Sequence, residues 1–199
     1  MNRAVREEWA CARTLAGLGE LTAQWIEGKV GEQPGYCGPS DLDDPERLAP
    51  VCAALCRAGF MTTGSQAGES GPGFGRARWE QRAAVEGFAD CMTAGRLRCL
   101  ARRAGLLAIT HSPALLPRWR IRYDRAVTVS RHDGQDCTWF GARLSRRHLA
   151  SPVTGYGECG KDAVAAVCGA WQVAVIDPEW ERPDLLWDVL AGICDRQEG

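Results

Sequence analysis

The order of helix-like and strand-like patterns along this chain limits its possible folds more than any other feature. Apolar residues recur at spacings of three and four over residues 4–27 and again after Pro183, which predicts amphipathic helices. Short apolar runs between them, such as Trp171–Ile176, predict strands. Because the two patterns do not alternate as regular strand–helix–strand units, we predict an α+β fold with a mixed β-sheet core flanked by helices.

The length of the chain, 199 residues, fits one domain with a sizeable core. Its composition, 45% hydrophobic and 25% charged, is that of a globular protein. The sequence contains no internal repeat and no linker long enough to separate two domains. We therefore predict a single α+β domain over residues 31–199, with residues 1–30 forming an N-terminal amphipathic helix packed on it.

Capping and turn residues set the expected bounds of the other elements. Asp44 and Pro45 predict the start of a helix that stops before Gly59, and the sequence His-Asp-Gly at 132–134 predicts the turn of a hairpin. The remaining predictions are a strand at 60–62, a glycine- and serine-rich loop at 64–75, a strand within 77–88, a helix at 90–103, a buried strand at 106–110, hairpin strands at 125–131 and 136–144, and a last helix at 183–194.

Charge and apolar patterning indicate where the protein acts. The formal net charge is −1, so the overall charge gives no reason to expect a polyanionic partner. No stretch approaches the ~18 apolar residues that a membrane span needs, and the first residues lack the apolar core of a secretion signal. We therefore predict a cytoplasmic protein with no membrane partner.

Ten cysteines are spread along the chain without a C-x-x-C motif or a Cys/His cluster of zinc-site spacing. Without a secretion signal, a framework of disulfides is not expected. Cys52 and Cys56 lie four residues apart on a predicted helix and could supply half of a metal site, but we favour buried thiols in a core. The sequence therefore predicts free thiols and no metal.

The stretch from Arg96 to Arg125 is strongly basic and has aromatic residues interleaved, a pattern found on nucleic-acid-binding surfaces. The stretch from Asp177 to Asp188 carries the opposite charge. We favour a solvated surface on which the two stretches pair, since charged surfaces are usual in proteins. Nucleic acid is therefore not the expected partner, and binding through the Arg96–Arg125 face is kept as an alternative.

No motif of catalytic residues is present. The three histidines, His111, His132 and His148, have no partners at catalytic or metal-binding spacing. Residues 71–75 have the composition of a phosphate loop, but Pro72 removes a backbone donor and no helix start follows. The sequence therefore predicts no catalytic centre.

Three segments carry a resemblance to a known family. They are residues 56–66, which read Cys-Arg-Ala-Gly-Phe-Met-Thr-Thr-Gly-Ser-Gln, residues 137–152, which begin Cys-Thr-Trp, and residues 171–190, which begin Trp-Gln-Val-Ala-Val-Ile-Asp. In this order they resemble the C-terminal regulatory domain of eukaryotic methylenetetrahydrofolate reductase, over about residues 44–194. Gly64, Ala67 and Phe140 stand where that family has asparagine, proline and glycine. The chain also resembles an uncharacterised family of actinobacterial and phage proteins.

The resemblance to the reductase domain implies a site for S-adenosylmethionine, or its demethylated product, as a regulatory signal. The residues to which it assigns the ligand are Asp44, Thr62, Ser65, Thr138, Trp139 and Thr154. Hydroxyl groups can bind the ligand carboxylate, an acid can accept from its amine or ribose hydroxyls, and an aromatic face suits its sulfonium charge. Taken singly, Asp44 is also explained as a helix cap, and the threonines by ordinary strand composition.

We therefore predict a small-molecule-binding domain that acts alone, as a homodimer or docked to a protein partner, with the ligand held by residues 31–199. The first alternative is a small enzyme that acts on an adenosyl or nucleotide ligand, with Asp44 or His148 as acid or base. The second alternative is the nucleic-acid-binding protein described above.

Overall fold

The computed structural model describes residues 3–36, 38, 40–42, 44–72, 77–114 and 122–194. The helices are α1 (Arg3–Cys11), α2 (Leu15–Ile26), α3 (Pro45–Arg57), α4 (Cys91–Arg103), α5 (Arg146–Leu149), α6 (Lys161–Gly169) and α7 (Asp184–Cys194), with a 3-10 helix at Gly157–Cys159. The strands are β1 (Phe60–Gln66), β2 (Gly71–Pro72), β3 (Arg78–Gln81), β4 (Ala84–Ala89), β5 (Leu107–His111), β6 (Val127–His132), β7 (Gln135–Phe140) and β8 (Trp171–Ile176).

These strands form two four-stranded sheets, in the orders β1-β4-β8-β5 and β2-β3-β6-β7. The α+β class is confirmed, but the prediction of a mixed sheet is wrong, because every described pairing is antiparallel. The unit β4–α4–β5 is a helical crossover, and its two strands run parallel to each other. They do not pair, since β8 lies between them and is antiparallel to both.

The first sheet lies between a layer of helices and the second sheet. Helices α2 and α3 pack on β1, α4 packs on β5 and β8, and α7 packs on α3. Alternate side chains of a strand point to opposite faces. On the face toward the helices, Val85, Val173 and Val175 belong to the main core. On the opposite face, Ala84, Ala174 and Ile176 pack with Val129 and Phe140 of the second sheet.

Residues 4–27 form two helices rather than the single helix predicted. The side chain of Thr14 caps α2, because its Oγ1 accepts a hydrogen bond from the N–H of Gly17 at 3.1 Å. The break lets α1 pack against the 3-10 helix and α6, while α2 packs on α3 and β1. Trp9 in α1 and Leu18 in α2 are both fully buried, so both N-terminal helices contribute to the main core.

The strand predicted within 77–88 is two strands, one in each sheet, separated at Arg82 and Ala83. The N–H of Arg82 donates to the carbonyl of Val129 in the second sheet at 2.8 Å. The carbonyl of Ala83 accepts from the N–H of Asp177, directly after β8, at 2.8 Å. Backbone bonds to both sheets therefore fix this corner, which no turn residue marks in the sequence.

Other elements agree with prediction to different degrees. The hairpin is confirmed as β6 and β7, with Asp133 and Gly134 at positive φ in its turn. β1 continues to Gln66 instead of ending at residue 62, and the predicted loop at 64–75 contains β2, with residues 73–76 outside the described part. β5 is an edge strand with Leu107 41% exposed, not a buried one.

The cysteines whose side chains are described are Cys11, Cys52, Cys56, Cys91, Cys99, Cys137, Cys159 and Cys168, and all of them are free thiols, as predicted. Cys37 and the side chain of Cys194 lie outside the described residues. In the part of the chain that is described, no helix is both long and apolar enough to cross a membrane.

Candidate functional site: a recess over the first sheet

A recess lies between the first sheet and the segment that follows β7. Its polar lining comes from Thr63 of β1, Glu86 of β4, His111 of β5, Gln172 of β8 and the backbone of Gly141. The recess is narrow, with a volume of about 20 Å³, which is room for about one ordered water. All four strands of the first sheet thus contribute to a single polar site.

Glu86 is the ionisable group at the centre of this recess. It is paired with Gly64 of β1 and Ala174 of β8, and these small neighbours leave space for its side chain. Its Oε2 accepts a hydrogen bond from the N–H of Gly141 at 2.9 Å. Burial raises the pKa of Glu86 to about 7, although the bond from Gly141 acts in the opposite direction. The carboxyl can therefore gain or lose a proton near neutral pH.

Gly141 is hydrogen-bonded through both its backbone N–H and its backbone carbonyl. Glu86 accepts from its N–H, and Nε2 of His111 lies 2.9 Å from its carbonyl oxygen. Gly141 has φ of +83°, and a Cβ there would lie 2.6 Å from Cδ1 of Ile109, so the position requires glycine. The two side chains therefore fix the segment after β7 over the first sheet.

Gln172 lies opposite His111 in the β5–β8 ladder. Its Oε1 accepts from the N–H of Leu144 at 2.7 Å, and its Nε2 donates to the carbonyl of Leu144 at 2.9 Å. Both ends of this amide are thus used to hold the chain that covers the recess. By contrast, within the described residues Oε1 of Glu86 makes no hydrogen bond, so it is free to accept one from a ligand.

A second and more open cleft adjoins the recess at His111. Its volume is about 360 Å³. Its lining consists of Thr110, His111, Ser112, Arg122, Asp124, Arg125 and Arg143. Three guanidinium groups therefore face one carboxylate, so this cleft carries an excess of positive charge.

Three of the residues that the resemblance assigns to the ligand lie on the helical side of the first sheet or at its edge. Asp44 caps α3, with Oδ1 3.4 Å from the N–H of Arg47. Thr62 is buried, with Oγ1 3.3 Å from Sγ of Cys56 in α3. Cys56 comes twelve residues after Asp44, which is about 18 Å along the helix axis. Ser65 is half-buried on β1 opposite Val85.

The other three residues that the resemblance assigns to the ligand lie in the second sheet and in the loop after α5. Thr138 pairs with Ser130 in the second sheet, and Trp139 beside it is 43% exposed. Thr154 is exposed in the loop after α5, with Oγ1 3.4 Å from Nδ1 of His148. None of the contacts described joins Thr138 or Trp139 to Thr154, or any of these three residues to Asp44 and Thr62.

The segments that carry the resemblance nevertheless meet, through neighbouring residues. Thr63, next to Thr62, lines the recess, as do Gly141 at the end of β7 and Gln172 in β8. Glu86 was not among the residues predicted for a site. One signal could have identified it, since Glu86 is the only charged residue in the apolar run Ala-Ala-Val-Glu-Gly-Phe-Ala at 83–89.

The expected pairing of the basic and acidic stretches is wrong for the described residues. Asp177 pairs with Arg182, Glu181 with Arg78, and Asp184 with Arg47 of α3. The reason is that α7 packs on α3, whereas the arginines at 96–103 lie on α4, which packs on β5 and β8. Residues 115–121, which belong to the same basic stretch, lie outside the described residues.

Neither a metal centre nor a helix-borne acid–base pair emerges from the described residues. No group of three or more His, Cys, Asp or Glu side chains there is arranged to hold a metal ion. His148 lies in α5, where burial lowers its pKa, and no described contact joins it to Asp44. Glu86 is therefore the described carboxyl whose surroundings best suit a functional role.

These features define a class of protein, an α+β domain of two antiparallel sheets with an ionisable, half-buried carboxyl in a recess between the first sheet and the segment after β7. The chain belongs to the family described as Domain of unknown function (DUF6919), whose model matches residues 4–195. Membership of an uncharacterised family is thereby confirmed, while the match gives no support to the resemblance to the reductase domain. No curated protein matches the chain.

Proposed function

We propose that the protein is a non-catalytic binding domain for a small molecule of the S-adenosylmethionine type, held at the recess beside Glu86. One observation carries this proposal: the three segments that resemble the reductase regulatory domain all line the recess, through Thr63, Gly141 and Gln172. The resemblance supports the ligand class. The meeting of the segments supports the recess as the location.

Glu86 supplies an acceptor that suits such a ligand. An adenosyl compound of this type carries an ammonium group and two ribose hydroxyls, each of which can donate to Oε1 of Glu86. A hydrogen bond to an ionised carboxylate is about twice as strong as a neutral one, and a buried setting strengthens it further. Binding of an ammonium group would therefore favour the ionised form of Glu86.

The size of the recess restricts how such a ligand binds. It holds one small polar group, so the rest of the ligand would lie across its mouth. The open cleft on the far side of His111 offers that space, and its arginines suit a carboxylate. The ligand in this arrangement bridges Glu86 and the arginine-lined cleft.

Isothermal titration of S-adenosylmethionine and its demethylated product tests this proposal. We expect one of them to bind the parent, and Glu86→Gln to weaken binding by about tenfold, because a charged hydrogen bond is replaced by a neutral one. Glu69→Gln removes an exposed carboxylate outside the recess and should leave the affinity unchanged. Failure of both compounds to bind at millimolar concentration, or equal loss in the two variants, would contradict the proposal.

A second candidate function is supported by the pKa of Glu86. A carboxyl with a pKa of about 7 is suited to general acid–base catalysis at neutral pH, which favours an enzyme that acts on the same ligand class. Mass spectrometry of each adenosyl compound after incubation with the parent distinguishes the two functions. A new product that forms with the parent and not with Glu86→Gln would establish the enzyme, and an unchanged ligand supports binding alone.

A further inference from the structure

Two arginines stand side by side at the cleft that adjoins the recess. Arg122 and Arg143 exchange both backbone hydrogen bonds, at 3.0 and 2.8 Å, and form an isolated antiparallel bridge. Residues directly opposite each other in such a bridge have Cβ atoms about 5 Å apart on one side of the ladder. The two arginine side chains therefore leave the main chain on the same side of the bridge, and both line the cleft.

The charges described near this pair are too few to balance it. Asp124 pairs with Arg122 at 2.9 Å. Arg143 contacts only the neutral oxygen atoms of Ser112, at 3.4 and 3.5 Å, within the described residues. Arg125 lines the same cleft, and no described carboxylate lies within 4 Å of it. The cleft thus has an excess of two positive charges over its single carboxylate.

Like charges placed opposite each other destabilise a strand pair, and an anion between them removes that repulsion. The planar guanidinium group donates in parallel pairs to carboxylate and phosphate oxygens. The hydroxyl groups of Thr110 and Ser112 in the same lining add further donors. The arrangement is that of a concave site, unlike the arginines of α4, which lie exposed on a convex helix surface.

We propose that the cleft formed by Arg122, Arg125 and Arg143 is a binding site for an oxyanion group of a small molecule, either a phosphate or a carboxylate. The proposal does not depend on the ligand of the recess, because an inorganic anion alone should bind here. His111 belongs to both linings, so one ligand can reach both sites.

Titration of the full chain with pyrophosphate and, separately, with succinate at low ionic strength tests the site and identifies the source of the oxyanion. We expect the tighter of the two to lose about fivefold to tenfold in affinity in Arg125→Gln and in Arg143→Gln, since each removes charged hydrogen bonds. Arg98→Gln, an exposed arginine of α4, is the matched control and should change the affinity less than about twofold. Added salt should weaken binding of either anion.

Several results would overturn the proposal. One is that neither anion binds, and another is that Arg98→Gln weakens binding as much as Arg125→Gln does, which would indicate a diffuse surface charge. A single-stranded oligonucleotide that binds more tightly than both anions, and that loses affinity in Arg98→Gln too, would assign the arginines to a nucleic-acid surface instead. The affinity for pyrophosphate or succinate is measured without any adenosyl compound, so failure of this proposal and failure of the recess proposal are distinguishable.

Discussion

Glu86 connects the stability of the protein to pH through its burial. Its pKa is raised from 4.5 to about 7, chiefly because burial disfavours the charged form. Between these two values the folded protein therefore binds more protons at this site than the unfolded chain does. The free energy of unfolding must then fall as pH rises through this window, by roughly 3 kcal/mol in total from this one group.

We expect Glu86→Gln to remove this dependence, because glutamine is neutral at every pH and keeps an oxygen that accepts from Gly141. The variant should be more stable than the parent at about pH 8 and close to it at about pH 5. Urea unfolding of both proteins at the two pH values measures the difference. Glu69→Gln, an exposed control, should retain the slope of the parent. An equal slope in Glu86→Gln and the parent would show that Glu86 titrates normally.

Single residues were predictable from the sequence where their role is local. Asp44 was recognised as a helix cap, and its Oδ1 does accept from Arg47 in the first turn of α3. Glu86, His111 and Gln172 acquire their role only through the order β1-β4-β8-β5, which brings distant strands together. No local pattern specifies that β8 lies between β4 and β5, so the site could not be assembled from spacing alone.

Elements with a marked beginning or end were predicted well. α3 starts at Asp44 and Pro45 as expected, β8 covers Trp171–Ile176 as expected, and α7 follows Pro183. α6 was missed because its N-terminal flanking residue, Gly160, provides no side-chain cap. The corner at Arg82 was missed because its direction comes from bonds to Val129 and Asp177, which are remote in sequence.

A buried aromatic side chain, Trp187, joins α7 to the end of β1. Trp187 is 2% exposed, and its indole N–H donates to the carbonyl of Ala67, just after β1, at 3.2 Å. Leu186 and Leu190 are buried beside it, and the helix packs on α3. Removal of the ring should leave a cavity and an unpaired carbonyl between α7 and β1.

We therefore expect Trp187→Ala to lower the free energy of unfolding by about 3–5 kcal/mol. Trp139→Ala removes the same side chain from the exposed surface of β7, where Trp139 is 43% exposed, and should cost less than about 1 kcal/mol. Denaturant unfolding of the two variants and the parent gives both values. If the two variants lose stability equally, α7 is not held by Trp187.

The main core unites the N-terminal helices with the rest of the molecule. Trp9 of α1 belongs to it together with Cys52 of α3 and Cys159 of the 3-10 helix. α1 packs directly against that 3-10 helix, and the indole N–H of Trp9 donates to the carbonyl of Glu32 at 3.1 Å. A core that crosses the predicted boundary at residue 30 should open as one cooperative unit.

Thiol labelling under native conditions tests that cooperativity. The buried thiols described are Cys52, Cys56, Cys159 and Cys168. If the molecule opens only by global unfolding, all four should react with a disulfide reagent at one common slow rate, because exposure of each then requires the same free energy. The exposed thiol of Cys91 should react at once and serves as the control for reagent activity. Mass spectrometry of the labelled peptides gives each rate separately. Cys159 lies in the 3-10 helix on which α1 packs. Faster labelling of Cys159 than of Cys52 would therefore show that the N-terminal helices detach before the rest of the core opens. Equal labelling rates would establish a single folding unit.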